Sequence, residues 1–294
     1  MTTTEAIAYN CVRRGIARTR AELARVMGVS RPTASTVTES LISSGLLRDG
    51  GKCRSSGGRS PTLLIPLPEA FSLIGVDLNG SGRLFGVRVN ALGDVTNRAG
   101  GCAEGGPERT AEEILALWAR LDPDFSALGI GVAVGRGAAD TPALAKMLRR
   151  HLIGKYIHVA ERLSAAAVSE GFRGGAGSER DYLLLSLEDT LESVICIDGR
   201  PFSGAHGTAG DLYRMPWTES ADDFTARCVA VLRCVLAVLD PGAVVLAGRF
   251  TSQNGDLSRF LEERLHGFGC RIVTAKFGEF SAARGAALQT HFSI

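Results

Sequence analysis

Arg20 to Leu47, RAELARVMGVSRPTASTVTESLISSGLL, constrains the fold more than any other stretch of the chain. Leu23, Ala24 and Met27 recur at helical spacing and give one helix a buried face. Gly28 stops that helix, because glycine accepts the left-handed conformation that follows many helix ends. Val29 plugs the turn. Ser30 is placed to cap the next helix with its hydroxyl, and Pro32 falls in the first turn, where its missing N–H costs little. Ala34, Val37 and Leu41 continue the inward stripe. Arg31, Thr33, Ser35 and Thr36 are left facing outward at the helix start. That is the position from which a recognition helix meets base edges, so the stretch reads as a helix-turn-helix.

The flanks complete a small head over residues 1–66. Thr4 to Arg14 is expected as its first helix, with Ile7, Cys11 and Val12 on the apolar side. Gly45-Leu46-Leu47 closes the recognition helix and opens a strand. The glycine- and serine-rich RDGGKCRSSGGRSPTLLIP follows, and Thr62 to Ile65 returns as a second strand. Lys52, Arg54 and Arg59 put positive charge on the tip. This is a wing suited to the phosphate backbone or the minor groove of double-stranded DNA. Charge agrees: residues 1–66 hold ten Arg/Lys against four Asp/Glu, out of 33 and 31 in the whole chain. The head is therefore basic and the remainder acidic, the footprint of a nucleic-acid-binding head on a separate body.

Pro66 to Glu69 reads as the link to a body over residues 67–294. There FSLIGVDL, Asn79-Gly80 and RLFGVRVN form a hairpin, and Asp94 turns into a weaker third strand. Helix Thr110–Arg120, strand Leu128–Val134, helix Leu144–His151, strand Ile157–Ala160 and helix Leu163–Gly171 follow. DYLLLSL, SVICIDG, AVVLAG and RIVTAKF are further strands. Phe224–Leu239 is a helix apolar nearly all round, expected to be buried in the core or against a partner chain. Ser281–Leu288 closes the chain. Strands alternating with helices argue for an α/β body. The expected division is a first lobe at about 70–140 plus the C-terminal helix 281–294, and a second lobe at about 141–280.

No run of about 18 apolar residues suggests a membrane span. The start, MTTTEAIAYNCVRRG, lacks a signal-peptide pattern, so a cytoplasmic location is expected. The seven cysteines (Cys11, Cys53, Cys102, Cys196, Cys228, Cys234, Cys270) are odd in number and contain no C-x-x-C pair. They read as reduced thiols rather than disulfides or metal ligands.

The order of wing, GRSPTLL, IGVDLNGS, GAHGTAGDL, LDPGAVVLAG and RGAAL resembles the ROK family, and the resemblance covers nearly the whole chain. That family groups sugar-responsive transcriptional repressors with sugar kinases on an actin-like, RNase H-like fold. The N-terminal head is similar to that of the repressor branch, since the kinases lack it. The resemblance implies a homodimer or tetramer on a palindromic operator, with a sugar-like effector bound in the body.

Several motifs depart from the kinase pattern. Where kinase members carry the aspartate that acts as base, this chain has Glu161-Arg162-Leu163-Ser164. A guanidinium stays protonated and cannot be that base. The D-x-G-G-T phosphate turn survives partly as Asp77, Asn79, Gly80 and Ser81. The later phosphate loop has become Glu188-Asp189-Thr190-Leu191-Glu192, whose three carboxylates repel phosphate. No catalytic residue and no cofactor are expected. The alternative is a sugar kinase or other phosphate-binding enzyme of the family. The family's zinc histidine is replaced by Arg214, its cysteine cluster is missing, and no metal is expected. The resemblance places Glu161, Arg162, Asp211 and Arg214 at the effector pocket, with His206 near in sequence. Two arginines facing a cleft suit an acidic ligand such as a phosphosugar or sugar acid. They can equally pair with Glu161 and Asp211 and fill a vestigial pocket, and His206 can be a hydrogen-bonded structural residue.

Overall fold

A computed structural model of the chain describes residues 1–52, 60–187, 191–212, 224–248 and 257–292. Three helices open it: α1 (Thr3–Arg13), α2 (Arg20–Met27) and α3 (Arg31–Ser43). A two-stranded antiparallel ribbon follows, β1 (Leu47–Lys52) with β2 (Thr62–Pro66). Each boundary has a local cause. Thr2 and Glu5 form a capping box at α1, and Thr19 caps α2. Gly28 ends α2 with φ +65°, and the Ser30 hydroxyl accepts from Thr33 N at 3.2 Å. Arg20 reaches from α2 to Asp49 on β1, with Nη1 2.8 Å from Oδ1.

The body holds two five-stranded sheets. The first contains β3 (Ser72–Leu78), β4 (Arg83–Asn90), β5 (Val95–Cys102), β6 (Gly129–Val134) and β7 (Tyr156–Glu161), ordered β5-β4-β3-β6-β7. β3, β6 and β7 run parallel, while β4 and β5 are antiparallel additions. α4 (Pro107–Leu121) and α5 (Thr141–His151) cover one face through Ile114, Leu117, Trp118, Leu144 and Leu148. The second sheet contains β8 (Tyr182–Leu187), β9 (Leu191–Ile197), β10 (Arg200–Pro201), β11 (Ala243–Ala247) and β12 (Arg271–Thr274), ordered β10-β9-β8-β11-β12. α7 (Phe224–Leu239) and α8 (Leu257–Leu265) pack on it through Leu232, Leu236 and Leu261. α6 (Arg162–Gly171) and α9 (Ser281–Phe292) fill the space between the sheets.

Small residues make that middle layer possible. A Cβ on Gly75 of β3 would lie 1.9 Å from the Ala283 carbonyl oxygen, and one on Gly131 of β6 would lie 1.9 Å from that of Ala286. A Cβ on Gly285 of α9 would come within 1.7 Å of the Ala165 carbonyl in α6. The closing helix thus sits at backbone contact with both neighbours, closer than any larger residue allows.

One expectation needs correction. The lobes do not divide at residue 141: α5 packs on the first sheet, and β7 extends it with Val134 opposite Glu161. The second sheet begins only at Tyr182. α7 is buried on one face only, which leaves the partner-chain alternative open for the other. Val231, Leu232 and Leu236 face the core, whereas Cys234 is exposed and Val238 is 82% exposed. Among the described residues, no helix is long and apolar enough to cross a membrane.

The head is packed on the body. Ala8, Tyr9 and Val12 of α1 share a core with Phe71, Leu73, Val87, Val89 and Ala91 of the first sheet. The Tyr9 hydroxyl donates to the Ala91 carbonyl at 3.5 Å. Arg13 is buried with its guanidinium 4.5 Å from the Phe172 ring at the end of α6. Burial lowers its pKa to about 10, with the nearby Tyr9 opposing that shift.

Candidate functional site

Two regions gather the residues singled out from the sequence. On the head, Arg31, Thr33 and Thr36 are exposed on the first turns of α3, and Lys52 is exposed at the end of β1. Ser35 is only half-buried rather than fully outward. The hydroxyls have local partners: Thr33 Oγ1 lies 2.8 Å from Ser30 Oγ, and Thr36 Oγ1 donates to the Pro32 carbonyl at 3.2 Å. Arg31 is therefore the longest cationic group at the start of the helix, while the threonines offer shorter contacts. Thr38, not singled out before, is fully buried and donates to the Ala34 carbonyl at 2.7 Å. Arg54 and Arg59 lie outside the described residues.

The second region is the cleft between the sheets, at the carboxyl ends of β3, β6 and β7. Ligands of open α/β sheets characteristically bind at such ends. Asp77, near the end of β3, is fully buried. Arg162, the first residue of α6, sets its Nε 2.9 Å from Asp77 Oδ1 and 3.0 Å from Oδ2. Glu161 caps the same helix, accepting from Leu163 N at 2.9 Å and Ser164 N at 2.7 Å. A carboxylate there satisfies free N–H groups and complements the helix dipole.

Across the cleft, Arg136 follows β6 and reaches the second lobe. Its Nη2 is 3.0 Å from Asp211 Oδ1, and its Nε is 3.9 Å from Glu192 Oε1. A cavity of about 420 Å3 lies here, lined by Arg136, Glu161, Ser164, Glu192, Ser203 and Asp211 among others.

The expected pocket is only partly reproduced. Glu161 and Asp211 line it; Arg162 and the exposed His206 do not. Arg162 pairs with Asp77 instead of Glu161, because the end of β3 brings a buried carboxylate directly beneath α6. Arg214 lies outside the described residues, as do Glu188, Asp189 and Thr190. Sequence reasoning missed Arg136. Its signal was an arginine just beyond the buried strand GIGVAV, at the carboxyl end where clefts form. Among the described residues lining this cavity are three carboxylates, Glu161, Glu192 and Asp211, and one guanidinium, Arg136. Among the described residues no three His, Cys, Asp or Glu side chains come together as a metal site.

No family model matches the chain. It is 26% identical over 215 residues to a xylose repressor of Caldicellulosiruptor bescii, a match covering 66% of this chain and 53% of that protein. The chain thus spans about half the length of the curated relatives it matches. Among solved structures, a ROK family transcriptional regulator described as a homologue of the E. coli MLC protein superposes with a TM-score of 0.75. Identity there is 14%, with 98% of this chain and 96% of that one covered. A ROK hexokinase from Thermus thermophilus matches with a TM-score of 0.63 and 18% identity, over 76% of this chain and 99% of its own. The chain shares its fold with these ROK proteins, and its sequence is similar to that of curated xylose repressors.

Proposed function

We propose that this chain is a sequence-specific DNA-binding transcriptional repressor of the cytoplasm, acting as a homodimer on a palindromic operator. The observation that carries the reading is the exposed start of α3. There Arg31, Thr33 and Thr36 stand clear of the core on a helix fixed by the Ser30 cap, with Lys52 exposed at the end of the neighbouring β1. Such a helix fits the major groove, and Lys52, Arg54 and Arg59 are assigned to phosphates. The division between residues 1–66 and 67–294 is kept as the division of labour. Selection of bound DNA from a random pool tests the reading directly. An enriched palindrome with half-sites about one or two helical turns apart supports it. Failure to enrich any sequence at moderate salt overturns it.

The body is assigned effector binding and assembly without phosphoryl transfer. Arg162 holds the carboxylate of the partly retained phosphate turn, and Glu192 stands where kinase relatives keep a glycine loop. A guanidinium cannot serve as general base. The effector assigned to the cleft is a neutral hydroxylated ligand of sugar size, since Glu161, Ser164, Ser203 and Asp211 offer hydrogen-bonding groups. ATP consumption in the presence of a hexose would favour the kinase alternative.

A further inference from the structure

A second cavity, of about 360 Å3, lies at the opposite end of α6 from the cleft, in the seam between head and body. Arg14 and Ile16 of the head, Phe172 and Arg173 after α6, and Arg180 and Gly199 of the second lobe contribute to its walls. Most of the charges around it have partners. Arg173 lies 3.6 Å from Asp94, Arg180 pairs with Asp198, and Glu179 is 3.4 Å from Arg271.

Arg14 differs. Among the described residues no carboxylate lies within ion-pair distance of it, and its guanidinium donates no hydrogen bond; its contact is the Phe172 ring at 5.7 Å. Partial burial lowers its pKa, and the fields of Arg180 and Arg200 act in the same direction. One ordinary reason to keep a cation here is the negative end of a helix. The carbonyls at these helix ends are already answered. In α1, those of Asn10, Cys11 and Val12 accept from the backbone N–H groups of residues 14–17. The Phe172 and Ser169 carbonyls accept from Arg284 at 3.0 and 2.9 Å. Arg14 is thus an exposed cation with no carboxylate partner among the described residues, and it faces Arg173 and Arg180 across a cavity large enough for a small molecule, an arrangement open to an anion.

We propose that this junction cavity binds a small phosphate-bearing anion, inorganic phosphate or a phosphorylated small metabolite, between Arg14 of the head and Arg180 of the second lobe. Guanidinium is the side chain best matched to phosphate oxygens, through paired N–H donors in one plane. An anion held there bridges head and body and favours the docked arrangement of the two. This goes beyond DNA binding and does not depend on it.

Isothermal titration of the full chain tests the site, with inorganic phosphate and with glucose 6-phosphate, at ionic strength matched by chloride. The expected result is saturable binding that weakens at least tenfold in Arg14→Gln, is partly kept in Arg14→Lys, and is unchanged in Arg31→Ala. Arg180→Gln is the second variant should Arg14→Gln fail to fold, and it is expected to weaken binding similarly. Tighter binding of the ester than of bare phosphate assigns the site to a metabolite, and the reverse to the inorganic ion. Heat no greater than that of chloride overturns the proposal. So does equal affinity in wild type and Arg14→Gln, or a loss in Arg31→Ala that places the phosphate on the DNA-facing surface.

Discussion

Arg162 and Asp77 face each other across the floor of the cleft, with the guanidinium Nε within 3.0 Å of both carboxylate oxygens and Asp77 entirely out of solvent. The pair fastens the first residue of α6 to β3. It also explains how a buried carboxylate persists at the end of that strand: an internal cation meets its charge. Removing one partner leaves the other charge buried, which costs more than the pair itself contributes. Arg162→Met is therefore expected to destabilise the fold by about 3 kcal/mol in chemical denaturation. Adding Asp77→Leu should recover part of that loss. A single-variant loss below about 1 kcal/mol would mean that the pair behaves as a solvated one.

That pairing marks the boundary of what the sequence could reveal. The head was legible because its determinants are local: Ser30, Gly28 and Pro32 act within a few residues of their own position. Most strands and helices of the body were legible for the same reason. Asp77 and Arg162 are 85 positions apart, and nothing in spacing predicts that they meet. Likewise the apolar run at Ile157–Ala160 announces a strand but not its sheet, so the lobe division was misplaced. Arg136 could have been suspected from its place after β6, but its partners on the other lobe could not. An ideal helical wheel puts Ser35 outward, whereas in the folded head it is half-buried.

The closing helix makes the sharpest packing prediction. Gly131 faces the Ala286 carbonyl, backbone against backbone, so no side chain can move aside. Gly131→Ala should cost about 3 kcal/mol or more, at the upper end of ordinary overpacking. Gly51, with nothing within 4 Å of an added Cβ, serves as the control and should tolerate alanine. Similar melting temperatures for the two variants would contradict the backbone contact.

Asp122 gives a pH-dependent test. Burial raises its pKa, but donors from Ala127 N, Ser126 Oγ and Trp118 Nε1, together with Arg88, outweigh that effect and hold it below the ordinary carboxylate value. A depressed folded-state pKa contributes stability above the unfolded-state pKa of about 3.9, which is lost as pH falls through the folded value. Asp122→Asn should accordingly be less stable than wild type at pH 7, and the gap should shrink below about pH 4. A gap that stays constant from pH 7 to pH 3 would show that the carboxylate's charge plays no part.

For DNA, the two kinds of contact should separate. Arg31→Ala is expected to cost about 1–3 kcal/mol on the selected operator and little on unrelated sequence. Lys52→Ala should weaken both alike and reduce the slope of log affinity against log salt by about one. Fluorescence anisotropy over a salt series reads both quantities. Should Arg31→Ala lower affinity equally for every sequence, Arg31 is a phosphate contact and another residue reads the bases.

Phe172 joins the cleft to the head. α6 spans about 15 Å, from Glu161 and Arg162 at the cleft to Phe172, whose buried ring has Arg13 at 4.5 Å and both Arg14 and Arg284 at 5.7 Å. A ring facing three guanidinia combines apolar burial with cation–π attraction, each such contact worth about 0.5–2 kcal/mol. Phe172→Ala removes the surface on which Arg13 rests and leaves that buried guanidinium poorly solvated. The loss should therefore appear first in α1, the helix that ends at Arg13. Hydrogen exchange is expected to show reduced protection in α1 with little change in β8 and β11. A sugar that alters DNA affinity in wild type should do so less in this variant, because movement at the cleft would no longer reach the head. Equal loss of protection in both sheets would make Phe172 an ordinary core residue; unchanged protection in α1 would remove α6 as the connecting element.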